Sequence, residues 1–115
     1  MTKYDVNLNL IFAALSDETR RAILVRLSRG PATVGELASH HEMALPSFMG
    51  HITKLEAAGM IETAKKGRTR YCRLSPDGIA PAQHWLDQQA DQWVKRLDQF
   101  DEYALSLLKG KNDEP

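Results

Sequence analysis

Residues Leu45–Gly59 read LPSFMGHITKLEAAG. Phe48, Ile52 and Leu55 recur at i, i+4 and i+7, which is one apolar face of an α-helix. Pro46 suits the first helical turn, where its missing N–H goes unused, and Gly59 suits the left-handed position just past the end. The opposite face carries Ser47, Gly50, His51 and Lys54, all small or polar, so a partner can approach it closely. A helix is expected just before it, with Thr33 as N-cap, Glu36 three residues on, and Val34, Leu37 and Ala38 as its buried set. The short stretch His40–Leu45 joins the two. Beyond Gly59, Met60–Lys65 reads as a strand, Lys66–Thr69 as a turn and Arg70–Leu74 as the return strand. Two helices with a tight joint, followed by a basic hairpin, form the helix-turn-helix-plus-wing pattern.

The remaining chain fits around that centre. A first helix is expected over residues 5–15, with Val6, Leu10, Ile11, Ala14 and Leu15 apolar. Ser16 or Asp17 then caps a second helix, Glu18–Arg29, with Ala22, Ile23, Leu24 and Leu27 inward and Arg20, Arg21, Arg26 and Arg29 outward. Gly30-Pro31 ends it, because Pro31 cannot continue a helix. Ser75-Pro76-Asp77-Gly78 is a turn signal. From about residue 79 to 108 a long helix is expected. Leu86, Ala90, Trp93, Leu97, Phe100, Ala104 and Leu107 alternate steps of four and three along it, a heptad seam. At 1.5 Å per residue this helix is roughly 40 Å long, more than a small core needs. A seam so rich in large apolar groups points to a helix shared with a second copy; packing on its own domain is the plainer alternative. The expected architecture is mainly α with a small β-hairpin. It is one winged-helix domain of about five helices, with the helix-turn-helix and wing over 17–74, the long helix over 79–108 and a flexible tail over 109–115.

Composition bounds the class. At 115 residues, 43% hydrophobic and 26% charged, the chain suits one ordinary globular domain that folds without metal or disulfide. No apolar run approaches the ~18 residues of a membrane span, and the polar opening MTKYDVNLNL is unlike a secretory signal, so a cytoplasmic protein without membrane contact is expected. The single Cys72 agrees with that compartment. The net charge of zero is a cancellation. Residues 54–76 carry six basic side chains against two acidic ones, whereas residues 77–115 carry four basic against eight acidic. A basic excess immediately after the candidate reading helix is the footprint of a one-faced phosphate binder.

Two stretches carry a family resemblance. FAALSDETRRAILVRLSRGPATVGELA (12–38) and ALPSFMGHITKLEAAGMIETAKKGRTRYCRLSP (44–76) are similar to the ArsR/SmtB-type winged-helix transcriptional repressors of bacteria. The specific pieces are Leu15–Arg21, His51 within the reading helix, Leu55–Gly59 at its end, and Gly67-Arg68 in the wing. The resemblance implies a homodimeric repressor. Its first and last helices would form the dimer interface, and its fourth helix would enter the major groove of double-stranded DNA. On this chain the implied DNA-binding residues are Pro46, Ser47, Met49, Gly50, His51, Thr53, Lys54, Lys65, Lys66, Arg68 and Arg70. The implied interface residues are Leu10, Leu86, Ala90, Trp93, Leu97, Phe100, Ala104 and Leu107. Phosphate attraction would supply much of the affinity, and Arg68 would reach the minor groove. Dimer symmetry predicts an inverted-repeat operator, the chain's own promoter being one candidate.

The chain also departs from the family pattern. Ala44, Leu45, Pro46, Met49 and Gly50 stand where many members carry hydrogen-bonding side chains. Leu45 and Met49 can meet thymine methyls, and Ser47, His51 and Thr53 can bond phosphates or bases; DNA shape is expected to share in selection. No cysteine occupies the helix before the reading helix, and the last helix has a single histidine, His84, with Asp87 and Asp91 beside it. No metal or cofactor is therefore expected, the alternative being zinc at His84 and Asp87. His40 and His41 are neighbours whose side chains diverge by about 100° on a helix, so they do not chelate together. Cys72, between Arg70 and Arg73, is read as a quiet half-buried thiol, with a redox switch as its alternative. No phosphate loop, nucleophile elbow or HExxH motif appears, so an enzyme is not expected. The rival classes are a dimeric winged-helix adaptor that binds protein instead of DNA, and a repressor switched by metal or thiol oxidation.

Overall fold

The computed structural model describes residues 3–112. Its elements are helices α1 (Lys3–Leu15) and α2 (Glu18–Leu27), strand β1 (Ala32–Thr33), helices α3 (Val34–Ala38) and α4 (Leu45–Ala57), strands β2 (Ile61–Lys66) and β3 (Thr69–Leu74), and helix α5 (Ala80–Asn112). This is the expected five helices and wing, with one addition. Ala32 and Thr33 pair antiparallel with Cys72 and Tyr71, so the hairpin is part of a three-stranded sheet in the order β1-β3-β2. The chain divides into two compact units at Ala82–Gln83. The first holds everything from α1 to the opening turn of α5; the second is the rest of α5.

Each boundary in the first unit has a local cause. The Asp17 carboxylate accepts the Arg20 backbone N–H at 3.1 Å, so Asp17 rather than Ser16 caps α2. Helix α2 stops at Leu27, two residues earlier than expected, and Gly30 turns the chain with φ of +137°. Thr33 caps α3 by accepting the Glu36 N–H at 3.0 Å. Helix α4 ends in a Schellman motif: the Gly59 N–H bonds Glu56 O at 2.9 Å and the Met60 N–H bonds Leu55 O at 3.0 Å, with Gly59 at φ +75°. Strands β2 and β3 meet in a two-residue turn, Gly67-Arg68, between the paired Lys66 and Thr69. Positive φ at Gly67 alone (+65°) is the pattern of a type II′ hairpin turn. The turn after β3 lies hard against the end of α4. A Cβ on Gly78 would fall 2.9 Å from the Met60 Cα, so only glycine fits there.

The core of this unit is one cluster. Phe48, Ile52 and Leu55 of α4 are at most 2% exposed and join Ile11, Ile23, Leu27, Leu37, Met60 and Ile61. Burying each such side chain contributes roughly 1.5–3 kcal/mol, and these three fix the rotation of α4 about its axis. Two expectations need correction here. Ala22 and Arg20 exchange roles: Ala22 is exposed, whereas Arg20 is buried at 7% exposure. The long helix does not end near Leu108 but continues through Gly110 to Asn112, so residues 109–112 are helical rather than tail. The side chain of Val6 and the tail from Asp113 lie outside the described residues. Among the described residues no helix is long and apolar enough to cross a membrane.

Candidate nucleic-acid interface

With Phe48, Ile52 and Leu55 turned inward, α4 leaves Pro46, Ser47, Gly50, Thr53, Lys54 and Ala57 exposed, and Leu45 stands 58% exposed at its first turn. Met49 is half-buried and packs against the core. The Thr53 hydroxyl donates back to the Met49 carbonyl at 2.9 Å. His51 does not belong to the outward face. Its side chain is 20% exposed, and its Nδ1 lies 3.0 Å from an Arg20 guanidinium nitrogen. A guanidinium has no acceptor, so Nδ1 must accept and the ring proton sits on Nε2. Asp17 Oδ2 is 3.7 Å from the same Nδ1, too far for a hydrogen bond; the Arg20 contact sets the tautomer. The Asp17 carboxyl is held below its ordinary value, first by the Arg20 backbone N–H and further by the nearby Arg20 charge, against a desolvation effect.

Arg20 does more than meet His51. Its Nε donates to Ala14 O at 2.8 Å and its second terminal nitrogen to Ala13 O at 3.0 Å, while Arg21 donates to Leu15 O at 2.7 Å. The run Asp17–Arg21 thus closes two helix ends, with Asp17 at the start of α2 and the two arginines at the end of α1. Sequence periodicity missed Arg20. The sign for His51 was present: it lies three residues after Phe48 and four before Leu55, at the edge of the apolar stripe.

On the wing, Lys65, Lys66 and Arg68 are exposed, with Arg68 in the turn itself. Arg70 and Arg73 are engaged elsewhere. Arg70 donates to Thr63 Oγ1 at 3.1 Å, and the Thr63 hydroxyl donates to the Glu56 carboxylate. Arg73 pairs with Glu62 at 2.6 Å. The two acids of residues 54–76 are therefore matched by these two arginines. The basic excess falls on Lys54 of α4 and on Lys65, Lys66 and Arg68 of the wing. Arg68, Thr69 and Arg70 line one groove with Leu45 and Met49 of α4 and with the start of α3, Thr33–Gly35. The structure therefore sets the wing tip beside the first turns of the reading helix.

Two other candidates look different in the structure. Cys72 is buried at 1% exposure, and burial pushes its thiol above the usual value, an effect that Arg70 only partly offsets. A shielded, protonated thiol is the opposite of what a redox switch requires. Among the described residues no three His, Cys, Asp or Glu side chains gather as a metal site, His84 and Asp87 included. In the second unit, Leu86, Trp93, Leu97, Phe100 and Leu107 are 51–66% exposed, and Ala104 is half-buried. Leu10 of α1 is 39% exposed.

A two-helix reading unit whose second helix is flanked by a cationic hairpin defines a winged helix-turn-helix protein. A helix-turn-helix domain model matches residues 15–64. The crystal structure of an ArsR family transcriptional regulator is 53% identical, with a TM-score of 0.76 over 81% of this chain and 96% of that one. An ArsR-like transcriptional regulator from Rhodococcus sp. RHA1 is 29% identical, with a TM-score of 0.74 over 90% and 97% of the two chains. The transcriptional repressor SdpR of Bacillus subtilis is 34% identical over 69% of this chain and 88% of its own. This chain belongs to the ArsR family of winged helix-turn-helix transcriptional regulators.

Two outcomes follow for the Arg20 centre. His51→Leu keeps the bulk but leaves one buried Arg20 donor unmet, so unfolding by urea should show a loss of about 1–3 kcal/mol. Asp17 has a folded value below its ordinary 3.8, so its stabilisation is present above that value and disappears as the pH falls through the folded one. Asp17→Asn retains a capping oxygen without the charge; its acid unfolding limb should be flatter below pH ~4 than that of the parent.

Proposed function

We propose that this chain is a double-stranded DNA-binding transcriptional repressor that acts as a homodimer on an inverted-repeat operator in the cytoplasm. The observation that carries the reading is the placement of Arg68, at the wing tip, in one groove with the first turns of α4, beside a reading face of small residues. Phosphates would be met by Lys54, Lys65, Lys66 and Arg68, whose charges are not matched by the two acids of that stretch. Arg70 is a weaker candidate, since its guanidinium is tied through Thr63 to Glu56. Pro46, Ser47, Gly50 and Thr53 face the groove floor in this reading, while Met49 and His51 act from behind by setting the helix. Repression would follow from occupying promoter DNA, as the name of the Bacillus subtilis relative suggests. No chemistry on a substrate is proposed.

The homodimer rests on the second unit. Trp93, Leu97 and Phe100 are each more than 60% exposed along one seam of α5, which a second copy would cover. Leu10 of α1 offers a further apolar contact to that copy. A protein–protein adaptor on the same scaffold would also cover the seam, but it would have no use for an unmatched cationic wing.

Fluorescence anisotropy on DNA from upstream of the gene, against an unrelated duplex at two salt concentrations, tests the reading. Preference for one duplex with steep salt dependence is the expected result; equal, weak binding to every duplex favours the adaptor. Arg68→Ala should weaken binding to all sequences and lower the salt slope by about one. Unchanged affinity and slope would remove the wing from the interface. Leu97→Glu should yield a monomer in sedimentation equilibrium, because it places a charge in the middle of the seam; a dimeric variant would refute the seam.

A further inference from the structure

The reading face of α4 has an unusual shortage of hydrogen-bonding groups, and the structure deepens that shortage beyond what the sequence implies. The His51 Nδ1 is committed to Arg20 in a side chain only 20% exposed, and the Thr53 proton is committed to the Met49 carbonyl. Met49 itself packs against the core. The side-chain donors remaining on the exposed face are the Ser47 hydroxyl and, about two turns further on, Lys54. In their place the first turn presents Leu45, 58% exposed, and Pro46, which has no N–H. Gly50 follows one turn later, and a Cβ built there would meet nothing within 4 Å, so the glycine is not required by packing inside the protein. Its φ is not in the left-handed region either, so the backbone does not demand it. A glycine in mid-helix lowers helix stability, and here the folded chain gains nothing from it.

These observations share one explanation. We propose that α4 reads its half-site chiefly through the 5-methyl groups of thymine, met by Leu45 and Pro46, while Gly50 lets the helix backbone seat close to the base edges. This rests on the DNA-binding reading above and names the chemistry of its operator. The thymine methyl is the apolar mark that the major groove offers, and the N-terminal residues of a recognition helix are those that reach base edges. Guanine and adenine edges ask for Arg, Lys, Asn or Gln, and on this face only Lys54, in the last turn of the helix, is of that kind. The selected half-site is therefore defined by where its thymines lie.

The test begins with selection of duplexes from a random library by the full chain. Each thymine of the selected half-site is then replaced by deoxyuridine, which removes the methyl alone. A contacted methyl is expected to give about a fourfold loss of affinity on removal, the equivalent of one buried carbon. With Leu45→Ala, the loss at one thymine should vanish while losses elsewhere remain, and the exposed position should leave folding intact. Gly50→Ala should raise the melting temperature and weaken binding to the selected duplex. Deoxyuridine duplexes that bind within twofold of their parents would overturn the thymine reading while leaving DNA binding in place. A Gly50→Ala variant with undiminished affinity would overturn the close seating. A chain that selects no duplex at all would overturn both the DNA reading and this one.

Discussion

One arginine, Arg20, only 7% exposed, governs how the first unit is put together. The last carbonyls of any helix have no partner within it, and at the end of α1 that of Ala14 meets Arg20 in a buried hydrogen bond. Arg20 supplies donors to two of them and, with its remaining arm, a donor to His51 on α4. One side chain thus fixes the end of one helix and the azimuth of another. Lysine could not substitute, because a single ammonium cannot reach acceptors that diverge along a planar fork. The charge is tolerable at this depth because it sits at the negative end of the α1 dipole, near the Asp17 carboxylate. The conspicuous run Leu15–Arg21 of the family resemblance has a physical reason here: it is the hinge at which two helix ends are satisfied together.

Much of this was legible beforehand. Helix α4, with a proline in its first turn and a glycine stop, followed from apolar spacing and those two residue types, because a three-residue apolar stripe and a glycine end are local properties. The hairpin followed for the same reason. Strand β1 did not, because two residues cannot show an alternation. Arg20 did not, because arginine is seldom buried and its partners are carbonyls of another helix, which a helical wheel cannot display. The continuation of α5 through Gly110 also escaped, since a polar, glycine-containing end reads as a stop when no capping geometry is visible.

Charge was legible in amount but not in disposition. The excess of four in residues 54–76 could be counted from the sequence, but six candidate cations shared it equally there. The sheet register decides among them. Pairing Glu62 with Arg73 across β2 and β3 places opposite charges together, and Thr63 lies where it can pass Arg70's bond on to Glu56. What remains is concentrated at the wing tip and the last turn of α4. Such charge attracts any duplex, and its strength falls with salt, so it can hold the protein on DNA without telling one sequence from another.

Selection, in the proposed reading, must then come from a helix face that is almost smooth. Directional hydrogen bonds tolerate small errors in seating, because a long polar side chain can adjust its rotamers to reach a base edge. Contacts between a methyl group and a short apolar side chain have no such reach, and a gap of 0.5–1 Å forfeits roughly a quarter to a half of the attraction. A reading helix of this kind can discriminate only if its axis and rotation are set in advance. The inward side of α4 meets that requirement: three side chains at most 2% exposed, a glycine-stopped end, and a histidine held by a buried arginine. The residues that reach no base are therefore the ones that make reading by shape workable, and a repressor built this way would spend its hydrogen-bonding groups on the interior so that its surface can be plain.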